Sequence, residues 1–333
     1  MGHALQSAWL RRGALACLLW PLSLLFRALV ALRRRLYRSG RLKSARLPVP
    51  VVVVGNVVAG GAGKTPVLLA LLEHLAARGL RAGVISRGYG RRSRACLEVG
   101  PASQPEQVGD EPLLIQRAAG VPVVVARRRI DAGKALLAAH PEVQVIVCDD
   151  GLQHLALQRD IELCVFDARG LGNGWLQPAG PLREPWPRQV DFMLAPAEFA
   201  AAHQGFSVER ELAPVVCNGR AERTDLSALR GKPLLAVAGI ANPPAFFGML
   251  RAQGLDLECT FALPDHYDFS GAPLPLDPAM IIVCTEKDAV KLWRSRPDAW
   301  AVPLVVRIDP AFWPPFDRLL DAKLSSVHGS ETA

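Results

Sequence analysis

Beyond residue 47 the chain alternates unbroken apolar runs with stretches whose apolar positions recur at helical spacing. The runs are PVVVVGN at 50–56, AGVIS at 82–86, VPVVVA at 121–126, VQVIVCDD at 143–150, IELCVFD at 161–167 and VDFML at 190–194. A strand with one wet face alternates polar and apolar residues, so runs lacking that alternation suit parallel strands covered on both faces. Residues 47–220 are therefore expected to form a doubly wound, mainly parallel α/β domain. Residues 218–229 are polar and are expected to be a linker. Beyond them PLLAVAGI at 233–240, AMIIVC at 279–284 and PLVVRI at 303–308 predict a second, smaller α/β domain over 221–324, followed by a frayed polar tail at 325–333.

The first 46 residues follow another pattern. From Gly13 to Leu32 the only strongly polar side chain is Arg27, with Arg11 and Arg12 before the run and Arg33, Arg34 and Arg35 after it. A secretory signal needs a small-residue cleavage site where this run enters its Arg cluster. A spanning helix is nearly long enough, yet Pro21 and Arg27 fall inside it. At 100° per residue Arg12, Ser23, Arg27, Arg34, Arg38 and Arg41 share an arc of about 80°, with Leu18, Leu22, Leu25 and Leu32 off it. The expectation is a membrane-associated helix lying in the interface, with Trp9, Trp20 and Tyr37 at headgroup depth; packing on its own domain is the alternative.

Charge sharpens this picture. The chain carries +8, but residues 1–50 hold ten Lys or Arg and no acid, leaving 29 basic against 31 acidic residues elsewhere. A nucleic-acid binder would spread basic residues over its folded body, so no nucleic-acid partner is expected, and the basic terminus points to an anionic membrane surface. The seven cysteines are odd in number, never spaced as CxxC, and mostly set in apolar runs. They are expected to be buried free thiols, with neither disulfides nor structural zinc.

The most informative stretch is VVVVGNVVAGGAGKTPVLLALLEHLAARG, a strand, a glycine-rich turn and a helix with Val67, Leu68, Leu71, Leu72 and Leu75 on one face. Backbone amides at such a helix start converge on one spot, the helix dipole favours an anion there, and glycines permit close approach. Val58, Ala59, Gly60, Gly61, Ala62, Gly63, Lys64 and Thr65 are the candidate triphosphate cradle, with Val58 where the strict motif has Gly. Lys64 would reach the β and γ phosphates of ATP, and the Thr65 hydroxyl would ligate Mg²⁺. Asp149 and Asp150, where the VQVIVCDD run stops, are candidate metal acids, with capping of the next turn the plain alternative.

An acceptor hydroxyl needs a base. Asp110 and Glu111 in VGDEP precede a helical stretch, where spacing alone favours capping over catalysis. His266 lies in a loop between Asp265 and Asp268, either solvated or tuning a carboxylate. SRGYGRR at 86–92, GNGWLQPAGPLREP at 172–185, with Arg183 and Glu184, and TEKDAVKL at 285–292 are further polar clusters, and their arginines suit phosphates.

In this order the segments PVVVVGNVVAGGAGKTP, SRGYG, GDEP, DDGLQH, GNGWLQPAGPLRE, AGIANPPAFF, PDH and TEKDAVK resemble the tetraacyldisaccharide 4'-kinases, over about residues 8 to 310. That resemblance implies transfer of the ATP γ-phosphate to the 4'-hydroxyl of a tetraacylated glucosamine disaccharide 1-phosphate lipid. The product would be lipid IVA, made at the cytoplasmic face of a bacterial inner membrane. It also implies that Asp110 is the base and His266 its dyad partner. Asp149, Asp150, Glu111 and Glu184 would be acids around Mg²⁺, and the family's loop likewise lacks the leading glycine. The contrasting reading is a membrane-bound ATPase switch, which needs no acceptor base.

Overall fold

The computed structural model describes residues 9–61, 63–269 and 280–328, so Ala62 of the expected cradle lies outside the described residues. Helix α1 (Ala14–Arg38) precedes β1 (Val51–Gly55), α2 (Lys64–Ala77), β2 (Ala82–Ser86), β3 (Leu97–Glu98), α3 (Asp110–Ala119) and β4 (Val123–Val125). Then come α4 (Arg129–Ala139), β5 (Val145–Asp149), β6 (Ile161–Val165), β7 (Phe192–Ala195) and β8 (Phe206–Leu212). The chain crosses to β9 (Val215–Asn218), β10 (Arg223–Asp225), β11 (Leu234–Ala238), α5 (Pro243–Ala252), β12 (Leu257–Ala262), β13 (Ile281–Thr285), α6 (Glu286–Leu292) and β14 (Trp300–Val302). It returns through β15 (Leu304–Ile308) to α7 (Trp313–His328).

The larger sheet has the order β15-β8-β7-β6-β1-β5-β2-β4-β3, parallel from β8 through β4 and closed at each edge by an antiparallel strand. Its central β1 is buried at every position. Val52 and Val54 face a core with Leu68 and Leu72 of α2, while Val51 and Val53 face one with Ile130 and Leu136 of α4. Burial on both faces is why the run reads as four consecutive valines. Val67, Leu68, Leu71, Leu72 and Leu75 of α2 are all buried, as their spacing predicts.

The smaller sheet, β10-β9-β14-β13-β11-β12, combines parallel strands with an antiparallel hairpin. Two expectations change here. Residues 218–229 are not a linker: Arg223–Asp225 is a strand paired to β9, and Leu226 and Leu229 of the following turn are buried. Nor does the second domain run contiguously over 221–324. It begins with β9, and the PLVVRI run is β15, an antiparallel edge of the first sheet. Helix α7 then buries Phe316 and Leu320 in the first domain's core and extends to His328, past the start of the expected tail. An apolar run announces a strand but not its partner, which is chosen by contacts distant in sequence. Two connections therefore cross between the domains, and they are joined where the Ala213 amide donates to Pro303 O at 2.9 Å.

Helix α1 rests on the first domain through Ala16 and Ser23, both buried, with Phe26, Val30 and Arg34 half-buried. The arc expected to be a free basic face is therefore shared: Ser23 and Arg34 turn to the protein, while Arg27 and Arg38 are exposed. Leu18, Leu22, Leu25, Leu29 and Leu32, alternately three and four residues apart, form an exposed stripe beside it. Cys148, Cys164 and Cys284 are buried, whereas Cys17, Cys96 and Cys259 are exposed, contrary to the expectation for buried thiols.

Candidate active site

Strand β1 delivers the glycine-rich turn to the middle of the larger sheet. The buried Asn56 organises it: Nδ2 donates to Val58 O at 2.6 Å, and Oδ1 accepts from Lys64 Nζ at 3.5 Å. Val58 pairs with Leu182, and the Ala59 amide donates to Pro181 O at 2.8 Å. This strand-like pairing explains why a valine is tolerated where the stricter motif has glycine. Gly63 is left-handed at φ +69°, and a Cβ there would stand 2.7 Å from the Arg210 guanidinium. Helix α2 starts at Lys64 with no side-chain cap, so its first amides are open to an anion. Arg169 adds a cation, its Nη2 donating to Gly61 O at 3.2 Å.

Strand β5 lies beside β1, Asp149 opposite Val54, which puts the acid pair at the loop's root. Asp149 is buried and accepts from Ser86 Oγ at 3.0 Å. Burial, with the charges of Glu111 and Asp150, pushes its carboxyl up to about 6. Burial would raise Asp150 too, but Lys64 at 3.6 Å and Arg183 at 2.9 Å outweigh it and hold that carboxyl below its usual range. Arg129 braces the turn, donating to the carbonyls of Asp149 at 3.0 Å and Asp150 at 2.6 Å. Glu184 does not join these acids. It is buried among Arg34, Arg188 and Gln153, which occupy its oxygens, so it is set aside as a metal ligand.

Asp110 is the first residue of α3, its N-cap is Gly109, and its side chain makes no cap bond. The capping reading favoured by spacing therefore gives way. His266 Nδ1 stands 2.9 Å from Asp110 Oδ2, and Lys291 Nζ donates to the same oxygen at 2.7 Å. Lys287 Nζ is 3.2 Å from His266 Nε2. An ammonium can only donate, so Nε2 accepts and the ring proton sits on Nδ1, pointed at Asp110. Burial would raise the Asp110 carboxyl, but the hydrogen bonds from His266 and Lys291 outweigh it and leave the group ionised below its ordinary value. Among the described residues nothing is bonded to Oδ1.

The two clusters form one site. Glu111 lies 3.4 Å from Lys287 and contributes to the field at Asp149. Gly109 packs on Gly88, where an added Cβ would stand 3.0 Å from the Gly88 Cα, so the SRGYG loop lies on the GDEP turn. Tyr89 comes 5.3 Å, ring to ring, from His266 and lines a cleft of about 360 Å³ with Arg87, Arg91, Arg94 and Arg127.

A glycine-rich turn, an acid pair and a histidine-held carboxylate thus meet in one place, and comparisons with known proteins show the family of the chain that carries them. The sequence profile of the family described as Tetraacyldisaccharide-1-P 4'-kinase matches residues 15–325. The chain belongs to this family. It is 60% identical over 331 residues to a tetraacyldisaccharide 4'-kinase of Acidovorax sp. (strain JS42), covering 99% of this chain and 97% of the relative. It is 55% identical to one from Polaromonas sp. (strain JS666 / ATCC BAA-500), covering 98% and 99%. Among solved structures, LpxK from Aquifex aeolicus in complex with ATP superposes with a TM-score of 0.78 at 29% identity, covering 92% of this chain and 99% of that one.

Several residues of this candidate site escape a reading by motif. Lys287 and Lys291 stand one helical turn apart in TEKDAVK, and that spacing was the available signal for a cationic face meeting Asp110. Asn56, Arg129, Gln153 and Arg169 had no comparable signal, because their roles come from partners distant in sequence.

Proposed function

We propose that this kinase transfers the γ-phosphate of ATP to the 4'-hydroxyl of a tetraacylated glucosamine disaccharide 1-phosphate, with Asp110 as the base. The observation that carries this is the Asp110 carboxylate, clamped by His266 and Lys291 through one oxygen with the other free. A sugar hydroxyl is a poor nucleophile at neutral pH. As its oxygen bonds to the γ-phosphorus, its proton passes to Asp110 Oδ1, and the bond from that phosphorus to the bridging oxygen breaks, releasing ADP. His266 holds Asp110 and does not itself take the proton. Lys64, Arg169 and the open amides of α2 carry the phosphate charge. The arginines of the cleft beside Tyr89 suit the acceptor's anionic 1-phosphate. The ATPase switch is set aside, since it gives the clamped carboxylate no task. Incubation with ATP and the disaccharide lipid, followed by thin-layer separation, should yield a bisphosphorylated product; ADP release without one would overturn the reading.

Mg²⁺ fits the donors present. Burial of Asp149 beside the charges of Glu111 and Asp150, the cause of its raised carboxyl, is relieved by a hard divalent ion. Among the described residues no three His, Cys, Asp or Glu side chains form a cation cage. Asp149 and the Thr65 hydroxyl would hold it, with Glu111 nearby and Asp150 occupied by Lys64 and Arg183. The ion would neutralise charge on the transferring phosphate. Thr65→Ala is expected to raise the Mg²⁺ concentration needed for half-maximal rate; an unchanged metal titration would remove Thr65 from the set.

The α1 helix is long and apolar enough to cross a bilayer. Its exposed leucine stripe, flanked by Arg27 and Arg38, supports a helix lying in the cytoplasmic leaflet of the inner membrane, where the acyl chains of the acceptor remain. Each leucine buried in lipid is worth about 1.5–3 kcal/mol. Leu18→Gln, Leu22→Gln and Leu25→Gln together should release the protein from vesicles at low and high salt alike; retained sedimentation would exclude the stripe as the anchor.

A further inference from the structure

The segment from Asn173 to Arg188 is bonded on two sides. Toward α1, Ser23 Oγ donates to Leu176 O at 2.7 Å and accepts from the Ala179 amide at 3.0 Å, and Arg34 pairs with Glu184. Just ahead of the helix, Trp9 Nε1 donates to Pro178 O at 2.9 Å. Toward the phosphate loop, Val58 pairs with Leu182, and the Arg183 amide donates to Val57 O at 2.7 Å. A side-chain path runs through the same place. Gln153 Nε2 donates to Glu184 Oε1 at 2.8 Å and to Asn56 O at 3.0 Å, and Asn56 Oδ1 faces Lys64 Nζ at 3.5 Å.

We infer that α1 is part of the scaffold of the nucleotide site as well as a membrane element, with Arg34 a positioning residue that acts on Asn56 and Lys64 through Glu184 and Gln153. Glu184 is 3% exposed, so its charge depends on protein partners. Arg188 Nη1 and Gln153 share Oε1, while Arg34 holds Oε2. Without Arg34, Oε2 has no donor among the described residues, and the carboxylate turns toward Arg188. Gln153 then loses its anchor, and Asn56 loses the bond that fixes its carbonyl at the root of the loop. Among the described residues Arg34 makes no hydrogen bond or ion pair with the cradle or with Asp149 and Asp150; its bond goes to Glu184. The coupling from Arg34 travels through bonded groups in contact, Glu184, Gln153 and Asn56, while Ser23 bears on the loop through the backbone pairing of Val58 and Ala59 with the same segment. This inference rests on the nucleotide assignment of the loop and not on the identity of the acceptor.

The test uses the full chain in neutral detergent micelles, so that lipid charge plays no part, and reads ATP dissociation constant and melting temperature together. Arg34→Gln should weaken ATP binding about tenfold, the effect of losing one charge-assisted hydrogen bond from the scaffold. Arg34→Lys, which keeps the charge and a donor, should recover most of the affinity. Arg35→Gln, exposed on the same turn and without a hydrogen bond or ion pair to the body among the described residues, should leave ATP binding unchanged. Combining Arg34→Gln with Gln153→Ala should bind ATP no more weakly than Gln153→Ala alone, because both cut one path. A folded Arg34→Gln protein with wild-type ATP affinity, or full additivity with Gln153→Ala, overturns the inference. Should Arg34→Gln not fold, Ser23→Ala decides: weaker ATP binding supports the scaffold role, and unchanged binding refutes it. Failure of the wild-type chain to bind ATP would instead strike the nucleotide assignment.

Discussion

Lys64→Ala should reduce turnover by about 10²–10³, the loss seen when one preorganised charge is removed from a transition state. The residue opens α2, its ammonium faces Asp150 and Asn56, and its side chain contributes nothing to the apolar core. The melting temperature should therefore stay close to that of the wild type. Relief of the Lys64–Asp150 pair leaves Asp150 with Arg183, so the acid is not stranded. Steady-state rates at saturating ATP, read beside a thermal melt, separate catalysis from folding. Near-normal turnover in a folded variant would sink the nucleotide-site assignment.

Asp110→Asn should be at least as severe, because the amide keeps the shape of the carboxylate and cannot take a proton. A lost general base costs about 10²–10⁴ in rate, and the ATP dissociation constant should change little, since the role proposed for Asp110 is on the acceptor hydroxyl. His266→Ala should cost less by itself. The double variant should be scarcely slower than Asp110→Asn, as expected of two groups acting as one unit. Lys291 is 7% exposed and would lose its anion, so the melting temperature of Asp110→Asn should fall while the protein still folds at low temperature. A fully active, folded Asp110→Asn enzyme would remove Asp110 from the mechanism.

Legibility differed from one part of the molecule to the next. The strand β1, the glycine turn and α2 were readable because they are consecutive: a buried run, a break and a helix with its apolar face are all local patterns. The pairing of Asp110 with His266 was reached only through family resemblance, since the two lie 156 residues apart and spacing alone favoured a cap. Glu184 was misassigned for a related reason. Sequence shows an acid beside an arginine in PLRE, but only the packed α1 shows that another arginine, Arg34, has already claimed it.

What the sequence determined by itself was the alternation of buried runs and amphipathic stretches, hence the α/β class, the strand, glycine-rich turn and helix at 51–77, and the basic, apolar character of the terminus. These follow from residue periodicity and local backbone freedom, which act over a few turns of chain. Tertiary structure decided which strands share a sheet, that β15 and α7 return to the first domain, and that one arc of α1 faces protein rather than lipid. It also decided that Lys287 meets His266 and Lys291 meets Asp110. Such partners are selected by burial and charge compensation among groups distant along the chain, and no local pattern encodes that choice.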